Sequence, residues 1–291
     1  MAETKILSGK TVSQNVYKSL KSRIDKLKSS GCIPGLAAVL VGDNPASHVY
    51  IKSKTNQFAK LDLYSESFKM PDDTSERDVL SLIDDLNNDE RFHGILVQMP
   101  LPEQLNETAI IEAVNPLKDV DGFHPENVGL LSIGRPRFVP CTPKGIMRIL
   151  SHYNIDLKGK HVVVVGRSNI VGRPISILTS LKQKGANGTT TICHSGTPDI
   201  SQFTKSADII IVALGVPQFL TGEMLKDGAI VIDVGINQIF EKNKKRLVGD
   251  VFFDEVEKKT KAITPVPGGV GPMTIAMLLK NTLKSATKQA Y

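Results

Sequence analysis

The sequence predicts an α/β fold with two domains: an N-terminal α/β domain and a doubly wound parallel-sheet domain. Short uninterrupted apolar runs, such as Gly35–Val41 and His161–Val165, are typical of strands buried on both faces of a parallel sheet. Amphipathic segments of helical length separate these runs, as alternating strand–helix units require. The length of 291 residues agrees with two domains of ordinary size.

The first domain is predicted over residues 1–145 and opens with a helix at about 11–30. The apolar residues of this helix lie on one stripe at helical spacing: Val12, Val16, Leu20, Ile24 and Leu27. The other elements follow in chain order: a strand at 35–41, a helix at about 46–61, a strand at 64–69, a helix from Thr74 or Ser75 to about 87, and a strand at 94–98.

A change of composition follows these elements. Residues 115–140 are rich in Gly, Pro and Asp, which predicts a long loop without regular structure, and such loops are more often functional than idle. Thr142 is predicted to cap the next helix, with Pro143 at the first helical position. That helix should end near residue 153.

The second domain is predicted over residues 146–272 as a doubly wound sheet. Its elements are a strand at 161–165, a helix at about 172–183, a strand at 189–194, a helix near 199–206, and strands at 208–213 and 229–234. A last helix is predicted from about 273 towards 288, and residues 273–291 should pack back on the first domain. This arrangement would leave a cleft between the two domains.

Composition and charge argue against several classes of protein. The net charge of +6 is dilute, and the chain has no Trp and only 5% aromatic residues, so a nucleic-acid binder is not expected. The positive surplus favours small anionic ligands or serves solubility alone. The longest apolar stretch, residues 209–216, is far shorter than a membrane-spanning helix. The densest basic run, residues 242–246, is predicted to be a solvated loop.

The cysteines and the N-terminal residues predict in which cell compartment the protein resides. Cys32, Cys141 and Cys193 are far apart, which argues against a disulfide framework and a zinc site and favours a reducing compartment. The first ten residues show neither the apolar segment of a signal peptide nor an Arg-rich amphipathic stretch. The cytoplasm is therefore the expected location.

A glycine-containing turn follows the apolar run at 162–165. Gly166 permits a tight turn after the strand, and Gly172 lets the next helix begin close to the sheet. Free N–H groups at such a helix start suit a pyrophosphate. The spacing is not the standard GxGxxG, so the strand–turn–helix context carries the prediction of a Rossmann-like dinucleotide site. A bare structural turn is the alternative.

The end of the second strand indicates which dinucleotide binds. NAD enzymes commonly place an Asp or Glu there, but residues 193–196 read CHSG. Arg167 lies just after the first strand, where it could reach a 2′-phosphate, and Ser195 could donate to the same group. These features favour NADP over NAD. The alternative is that Arg167 is an ordinary surface residue and Ser195 an ordinary turn residue.

Polar side chains share one face of a predicted helix in the first domain. Ser47, Tyr50 and Lys54 are three and four residues apart, and a Tyr–Lys pair at this spacing can share a proton network. An exposed lysine beside a half-buried tyrosine is the alternative. Gln98 ends a buried strand at the carboxyl edge, where ligand sites of α/β proteins form.

Two loops complete the set of candidates. Asp119 and Asp121 could hold a metal as a pair, but no third ligand stands nearby in the sequence, so no metal is expected. Asp121 could also be a turn residue, because Gly122 follows it. Residues 265–274, PVPGGVGPMT, form a glycine-rich loop that would let backbone approach a flat ligand closely.

Six segments in one order carry a resemblance to a known family. They are VYIKSK (49–54), VQMPLP (97–102), KDVDGFHPENVG (118–129), PCTPKG (140–145), VVVGRSNIVGRP (163–174) and TPVPGGVGPMT (264–274). Over about residues 5–285 the chain strongly resembles the bifunctional methylenetetrahydrofolate dehydrogenase/methenyltetrahydrofolate cyclohydrolase family, the FolD type. The resemblance implies oxidation of 5,10-methylenetetrahydrofolate by NADP⁺ and hydrolysis of the methenyl product to 10-formyltetrahydrofolate, in one-carbon metabolism that serves purine biosynthesis.

The resemblance also implies roles for particular residues. Lys54 would manage protons in the hydrolysis, with Tyr50 near the pterin and Gln98 tuning Lys54. Asp121 would hydrogen-bond the pterin amino and ring N–H groups. The implied substrate-binding residues are Ser47, Tyr50, Lys54, Val97, Gln98, Met99, Asp121, Pro267, Gly268, Gly269, Val270 and Gly271. The implied cofactor-binding residues are Gly166, Arg167, Ser168, Ile170, Gly172, Ser195, Gly215, Ile236 and Thr274.

The expected partner is a folate, with or without a polyglutamate tail, and the resemblance implies a homodimer formed through the cofactor domain. Three alternatives stay open. They are a monofunctional dehydrogenase on the same fold, an unrelated two-domain NADP dehydrogenase of the shikimate type, and a cofactor- or folate-binding protein without turnover. The shikimate-type alternative explains the Gly166 turn but neither VQMPLP nor PGGVGPMT.

Overall fold

The computed structural model describes residues 3–241 and 244–288, and its backbone divides into two compact units. Residues 3–16 and 142–274 form one unit, which we call the cofactor unit because the predicted dinucleotide turn lies in it. Residues 17–141 and 275–288 form the other, which we call the folate unit because the predicted residues Lys54, Gln98 and Asp121 lie in it. The sequence interpretation had placed residues 1–16 with the first domain and drawn its end at residue 145.

The secondary structure alternates between strands and helices along most of the chain. The helices are α1 (Gly9–Ser29), α2 (Pro45–Ala59), α3 (Glu76–Asn88), α4 (Glu107–Ala113), α5 (Pro125–Ser132), α6 (Cys141–His152), α7 (Gly172–Ser180), α8 (Ile200–Thr204), α9 (Phe253–Val256) and α10 (Val270–Ala286). The strands are β1 (Lys5–Ile6), β2 (Gly35–Val41), β3 (Tyr64–Met70), β4 (Gly94–Val97), β5 (His161–Val165), β6 (Thr189–Cys193), β7 (Ile209–Val212), β8 (Ile230–Asp233), β9 (Asn237–Glu241), β10 (Lys244–Val248) and β11 (Ala262–Ile263).

The folate unit contains a three-stranded parallel sheet in the order β3-β2-β4. Its central strand β2 is buried along its full length, which is why the run GLAAVLV contains no polar residue. Val79, Ile83 and Leu86 of α3 pack on this sheet from one side. The carboxyl ends of β2 and β4 lie side by side, so the residues that follow β4 stand at the sheet edge.

The cofactor unit contains a six-stranded parallel sheet in the order β1-β11-β8-β7-β5-β6. β6 follows β5 on one side, whereas β7 and β8 continue on the other side. The strand order therefore reverses between β5 and β7, and ligands of doubly wound sheets bind outside the carboxyl ends at such a point. The predicted α/β class with a doubly wound parallel sheet is confirmed.

Several predicted boundaries differ from the structure. The segment 115–140 is not structureless, because His124 accepts a hydrogen bond from the N–H of Glu126 and Pro125 supplies the first turn of α5. Helix α10 begins at Val270, three residues before the predicted start, and α6 begins at Cys141, so Thr142 lies inside it. A proline is tolerated in the first turn of a helix, where its missing N–H has no partner to lose.

The short elements escaped prediction. The sequence showed no stripe for α4 and no run for β1 or β11. The basic run at 242–246 was predicted as a loop, but residues 244–246 belong to β10, which pairs with β9 in an antiparallel hairpin. Residues 242 and 243 lie outside the described residues. Among residues 3–241 and 244–288, no helix combines the length and the apolarity needed to cross a membrane.

Candidate active site

Helix α2 presents the three polar residues that the sequence singled out in the folate unit. The side chain of Asn44 accepts a 3.2 Å hydrogen bond from the N–H of Ser47, which fixes the first turn of the helix. Ser47 and Lys54 are 3% and 5% exposed, and Tyr50, between them along the chain, is half-buried. A lysine this deeply buried is not a solvated surface residue, which removes the alternative of an exposed lysine.

Lys54 contacts the residue that follows β4. Its Nζ donates a 3.0 Å hydrogen bond to Oε1 of Gln98. The amide group of Gln98 is oriented by its second hydrogen bond, since Nε2 donates to the carbonyl of Met99 at 2.7 Å. The backbone N–H of Gln98 donates to the carbonyl of Val39 at 2.9 Å. The predicted residues Lys54 and Gln98 therefore form one fixed pair at the sheet edge, next to the buried Val97.

The two aspartates of the KDVDG loop have separate environments. The carboxylate of Asp119 accepts hydrogen bonds from the N–H groups of Gly122, Phe123 and His124 and from Nδ2 of Asn127, at 2.8–3.2 Å. Asp119 thus organises the loop. Burial raises the pKa of Asp121, and the charge of Lys54 and the thiol of Cys141 partly oppose this rise. Asp119 is therefore committed to the loop, and Asp121 stays the predicted ligand-binding carboxyl group.

Two residues that were not predicted as part of the site hold the backbone next to Asp121. Asn281 of α10 is fully buried, and its Nδ2 donates to the carbonyls of Val120 at 2.7 Å and Val139 at 3.1 Å. The thiol of Cys141 lies 3.5 Å from the carbonyl of Val120. The segment PCTPKG marks Cys141 in the sequence, but nothing near Asn281 in the sequence indicates its contacts with carbonyl groups 161 and 142 residues away.

In the cofactor unit, the turn after β5 requires both of its glycines. Gly166 has a φ of +124°, and a Cβ there would lie 2.2 Å from the carbonyl oxygen of Ala213, after β7. A Cβ on Gly172 would lie 2.2 Å from the carbonyl oxygen of Gly166. The backbone is therefore closely packed at the point where the strand order reverses. Close backbone approach of this kind is what the glycines of a dinucleotide-binding turn provide for a pyrophosphate.

The side chains around this turn are exposed, and they differ in whether they bond within the turn. The hydroxyl of Ser168 accepts hydrogen bonds from the N–H groups of Val171 and Gly172 at 3.2 and 3.3 Å, so it closes the turn itself. Arg167, Ile170 and Ser195 are exposed. Within the described part of the chain, Arg167 has no hydrogen bond or ion pair. Since β5 and β6 are parallel neighbours, Arg167 and Ser195 follow strand ends at the same edge.

The other predicted cofactor residues lie after β7, after β8 and in α10. Gly215 has a φ of +71°, Ile236 is 43% exposed, and Thr274 shares a 3.0 Å hydrogen bond with Thr142. In the predicted folate loop, Pro267 is exposed, Gly268 is half-buried and Val270 is buried. A Cβ on Gly269 would lie 2.5 Å from the carbonyl oxygen of Pro265, and one on Gly271 would lie 3.4 Å from Cδ1 of Ile236. Close packing within the loop thus accounts for part of its glycine content.

Comparison with known proteins matches both halves of the chain to one family. The model described as tetrahydrofolate dehydrogenase/cyclohydrolase, catalytic domain, matches residues 7–121, and that described as the NAD(P)-binding domain of the same family matches residues 140–290. A curated bifunctional protein FolD from Chlorobium chlorochromatii is 52% identical over 286 residues, covering 96% of this chain and 97% of the relative.

Solved structures agree with this match. The bifunctional FolD enzyme from Campylobacter jejuni has a TM-score of 0.93 at 48% identity, covering 98% of this chain and 99% of its own. The methylenetetrahydrofolate dehydrogenase-cyclohydrolase from Trypanosoma brucei, solved with NADP cofactor and an inhibitor, has a TM-score of 0.94 at 36% identity and 99% coverage of both chains. The resemblance seen in the sequence is thereby confirmed, and the chain belongs to the tetrahydrofolate dehydrogenase/cyclohydrolase family.

Proposed function

We propose that this protein oxidises 5,10-methylenetetrahydrofolate to 5,10-methenyltetrahydrofolate with NADP⁺ and then hydrolyses the product to 10-formyltetrahydrofolate. The observation that carries this proposal is the hydrogen bond of the buried Lys54 to Gln98, beside Asp121, in a chain whose two halves match both domains of the family. The cyclohydrolase step needs a group that handles protons, and these residues provide one.

The oxidation needs mainly positioning. NADP⁺ supplies the hydride acceptor, and the substrate loses one hydride from the carbon between its two ring nitrogens. The residues of this chain bind and orient the two molecules, which removes most of the entropic barrier to their reaction. The Gly166–Gly172 turn lets the backbone approach the pyrophosphate closely, and Asp121 holds the pterin.

The hydrolysis needs a proton acceptor and donor. Water adds to the methenyl carbon and loses a proton, and the bond from that carbon to one ring nitrogen then breaks as the nitrogen gains a proton. Lys54 provides the amine that manages these protons. Gln98 accepts a hydrogen bond from Lys54 and so directs Nζ, while its own orientation is fixed by Met99.

Asp121 is the group that recognises the pterin. A carboxylate accepts two parallel hydrogen bonds from an amino group and a neighbouring ring N–H, and such charge-assisted contacts are stronger than neutral ones. Tyr50 lies on the same helix as Lys54, and burial raises the pKa of its phenol, so the hydroxyl stays protonated and the ring stays neutral for stacking.

The cofactor is NADP rather than NAD. The end of β6 carries no acidic residue that would bind a ribose 2′-hydroxyl, and the unpaired guanidinium of Arg167 stands at the adjacent strand end. Arg167 and Ser195 together suit a 2′-phosphate. The Trypanosoma brucei enzyme, which is 36% identical, was solved with NADP.

The protein is a homodimer in the cytoplasm that uses folates with or without a polyglutamate tail. Exposed apolar side chains on the β9–β10 hairpin, such as Phe240 at 72% and Leu247 at 46%, support association through the cofactor unit. The three cysteines are free thiols, which agrees with a reducing compartment. Light scattering on the purified protein tests the dimer, because a monomer at micromolar concentration would contradict it.

One assay tests the reaction sequence. The purified chain is given 5,10-methylenetetrahydrofolate with NADP⁺ or NAD⁺, and reduced cofactor and methenyl product are followed separately. We expect NADPH to form without accumulation of the methenyl compound, and NADP⁺ to be used more efficiently than NAD⁺. Accumulating methenyl compound would instead indicate a monofunctional dehydrogenase, and NADP⁺ binding without reduction would indicate a binding protein.

A further inference from the structure

Two buried carboxyl groups stand at the carboxyl side of the six-stranded sheet and have no role in the function described above. Asp233 is the last residue of β8 and is 2% exposed. Asp250 follows β10 and is fully buried. Buried carboxyl groups are retained only where hydrogen bonds satisfy their oxygens, so their partners show what they hold.

Asp250 ties together two loops. Its Oδ2 accepts hydrogen bonds from the backbone N–H groups of Leu214 and Gly215, at 2.6 and 2.9 Å, in the loop after β7. Its Oδ1 accepts a 2.8 Å hydrogen bond from Nδ2 of Asn237, after β8. One carboxylate therefore fixes the backbone at Gly215 and the side chain that follows Ile236.

Asp233 fixes the other side of Ile236. Its Oδ1 accepts hydrogen bonds from the N–H groups of Gly235 and Asp250, at 3.0 and 2.9 Å, and its Oδ2 accepts one from Val251 at 3.1 Å. A Cβ on Gly235 would lie 2.2 Å from Oδ1 of Asp250, so the chain passes close to both carboxyl groups. The residues on either side of Ile236 are therefore fixed, Gly235 by Asp233 and Asn237 by Asp250. The apolar side chain of Ile236 itself remains exposed.

The position of these loops on the sheet indicates which half of the cofactor they meet. In a doubly wound domain the pyrophosphate lies at the turn after the first strand, here β5, and the adenine ribose lies at the end of the next strand, here β6. β7 and β8 are on the opposite side of β5. The loops that carry Gly215 and Ile236 therefore stand where the nicotinamide half extends.

We propose that Asp250 is a positioning residue that holds the Gly215 and Ile236 loops in the shape that receives the nicotinamide half of NADP⁺. The inference rests on the proposed function and adds a residue that does not touch the cofactor itself. Asp250→Asn replaces one oxygen by an N–H₂ group. In one orientation the N–H₂ group faces the backbone N–H groups of Leu214 and Gly215, and in the other it faces Nδ2 of Asn237. In either orientation a donor faces a donor, and one acceptor of Asp250 is lost.

A comparison of two ligands tests the proposal. NADP⁺ and adenosine 2′,5′-bisphosphate, which lacks the nicotinamide half, are titrated into wild type and Asp250→Asn by calorimetry. We expect the dissociation constant of NADP⁺ to rise about ten- to a hundredfold, the effect of losing one charged hydrogen bond, and that of the bisphosphate to change less than about twofold. Hydrolysis of 5,10-methenyltetrahydrofolate, measured without cofactor, reports on the folate unit, and retained binding of the bisphosphate reports that the cofactor unit is folded.

A matched control and a milder variant complete the design. Asp208 accepts a 2.9 Å hydrogen bond from the N–H of His161 at the amino end of the same sheet, so Asp208→Asn should leave both dissociation constants unchanged. Asn237→Ala removes only the hydrogen-bond donor to Oδ1 of Asp250, so the dissociation constant of NADP⁺ should rise by about threefold. This variant tests the proposal if Asp250→Asn does not fold.

Two results would overturn the proposal: an equal loss for both ligands, which would indicate collapse of the unit, or no loss for either. Failure of the proposed function is a different observation. It would show as wild-type protein that does not reduce NADP⁺ with 5,10-methylenetetrahydrofolate, whatever the two dissociation constants of the variant.

Discussion

Nζ of Lys54 donates a 3.0 Å hydrogen bond to Oε1 of Gln98, and the carbonyl of Met99 fixes the amide of Gln98 in that orientation. The direct partner of the lysine is therefore a neutral acceptor and not a carboxylate. A neutral amide orients Nζ without placing a second charge beside it. The charge of Lys54 also acts on the nearby Asp121, where it partly opposes the rise of the carboxyl pKa that burial causes.

Replacing Gln98 tests this relationship. Gln98→Met keeps an unbranched side chain of similar size but removes the acceptor for Lys54. We expect the cyclohydrolase kcat to fall about tenfold, the usual effect of one lost hydrogen bond to a charged group, and the dehydrogenase to fall less. Gln57→Met, on the same helix as Lys54, is the control. Equal losses in the two activities would show that Gln98 serves the fold rather than Lys54.

Arg167 is predicted to set the cofactor preference. Arg167→Ala removes the guanidinium expected at the 2′-phosphate, so the KM for NADP⁺ should rise about ten- to a hundredfold while the KM for NAD⁺ stays nearly constant. Lys160→Ala alters a basic residue at the amino end of the same strand, β5, and should leave both values unchanged. An NADP⁺/NAD⁺ ratio that does not move in Arg167→Ala would refute the assignment.

Substrate binding should depend on pH through Asp121. Burial raises the pKa of this carboxyl group, so it takes up a proton at a higher pH than an exposed aspartate does. The protonated form loses the charge-assisted contact, and the KM for 5,10-methenyltetrahydrofolate should therefore rise as the pH falls. Asp121→Asn should have a high KM at every pH, with no such dependence. The exposed Asp73→Asn should keep the wild-type profile, and a flat wild-type profile would count against the role of Asp121.

Asp233 should make stability depend on pH. Burial raises its pKa from 3.8 to about 7, so between these values the folded state binds more protons than the unfolded state. Stability then falls as the pH rises through this window, by about 2–4 kcal/mol from this group. Urea unfolding of wild type and Asp233→Asn at about pH 5 and pH 8 measures the difference. If the free energy of unfolding changes equally with pH in both proteins, Asp233 is not the source of the pH dependence.

The sequence was sufficient where a single physical cause decides the structure. The runs GLAAVLV and HVVVV end as strands at the predicted residues, because strands buried on both faces must be apolar and glycines or polar turns delimit them. Short elements were missed, since α4 and α5 depend on single capping side chains, Asn106 and His124, rather than on a repeated pattern.

The candidate site was predictable as a set of residues but not as a set of contacts. Lys54 and Gln98 were both singled out, yet their hydrogen bond joins a helix to a strand end 44 residues away. Asp250 was missed because its partners include backbone N–H groups 35 and 36 residues away, and backbone groups leave no signature in the sequence. Asn281 escaped for the same reason.

The most direct test of the account is a measurement of both activities in Lys54→Met. Loss of the amine should abolish the hydrolysis of 5,10-methenyltetrahydrofolate, while the oxidation of 5,10-methylenetetrahydrofolate with NADP⁺ continues and the methenyl compound accumulates. Lys52→Met, two residues away on the exposed face of α2, should retain both activities. Equal loss of the two activities in Lys54→Met, or no loss of hydrolysis, would contradict the role assigned to Lys54.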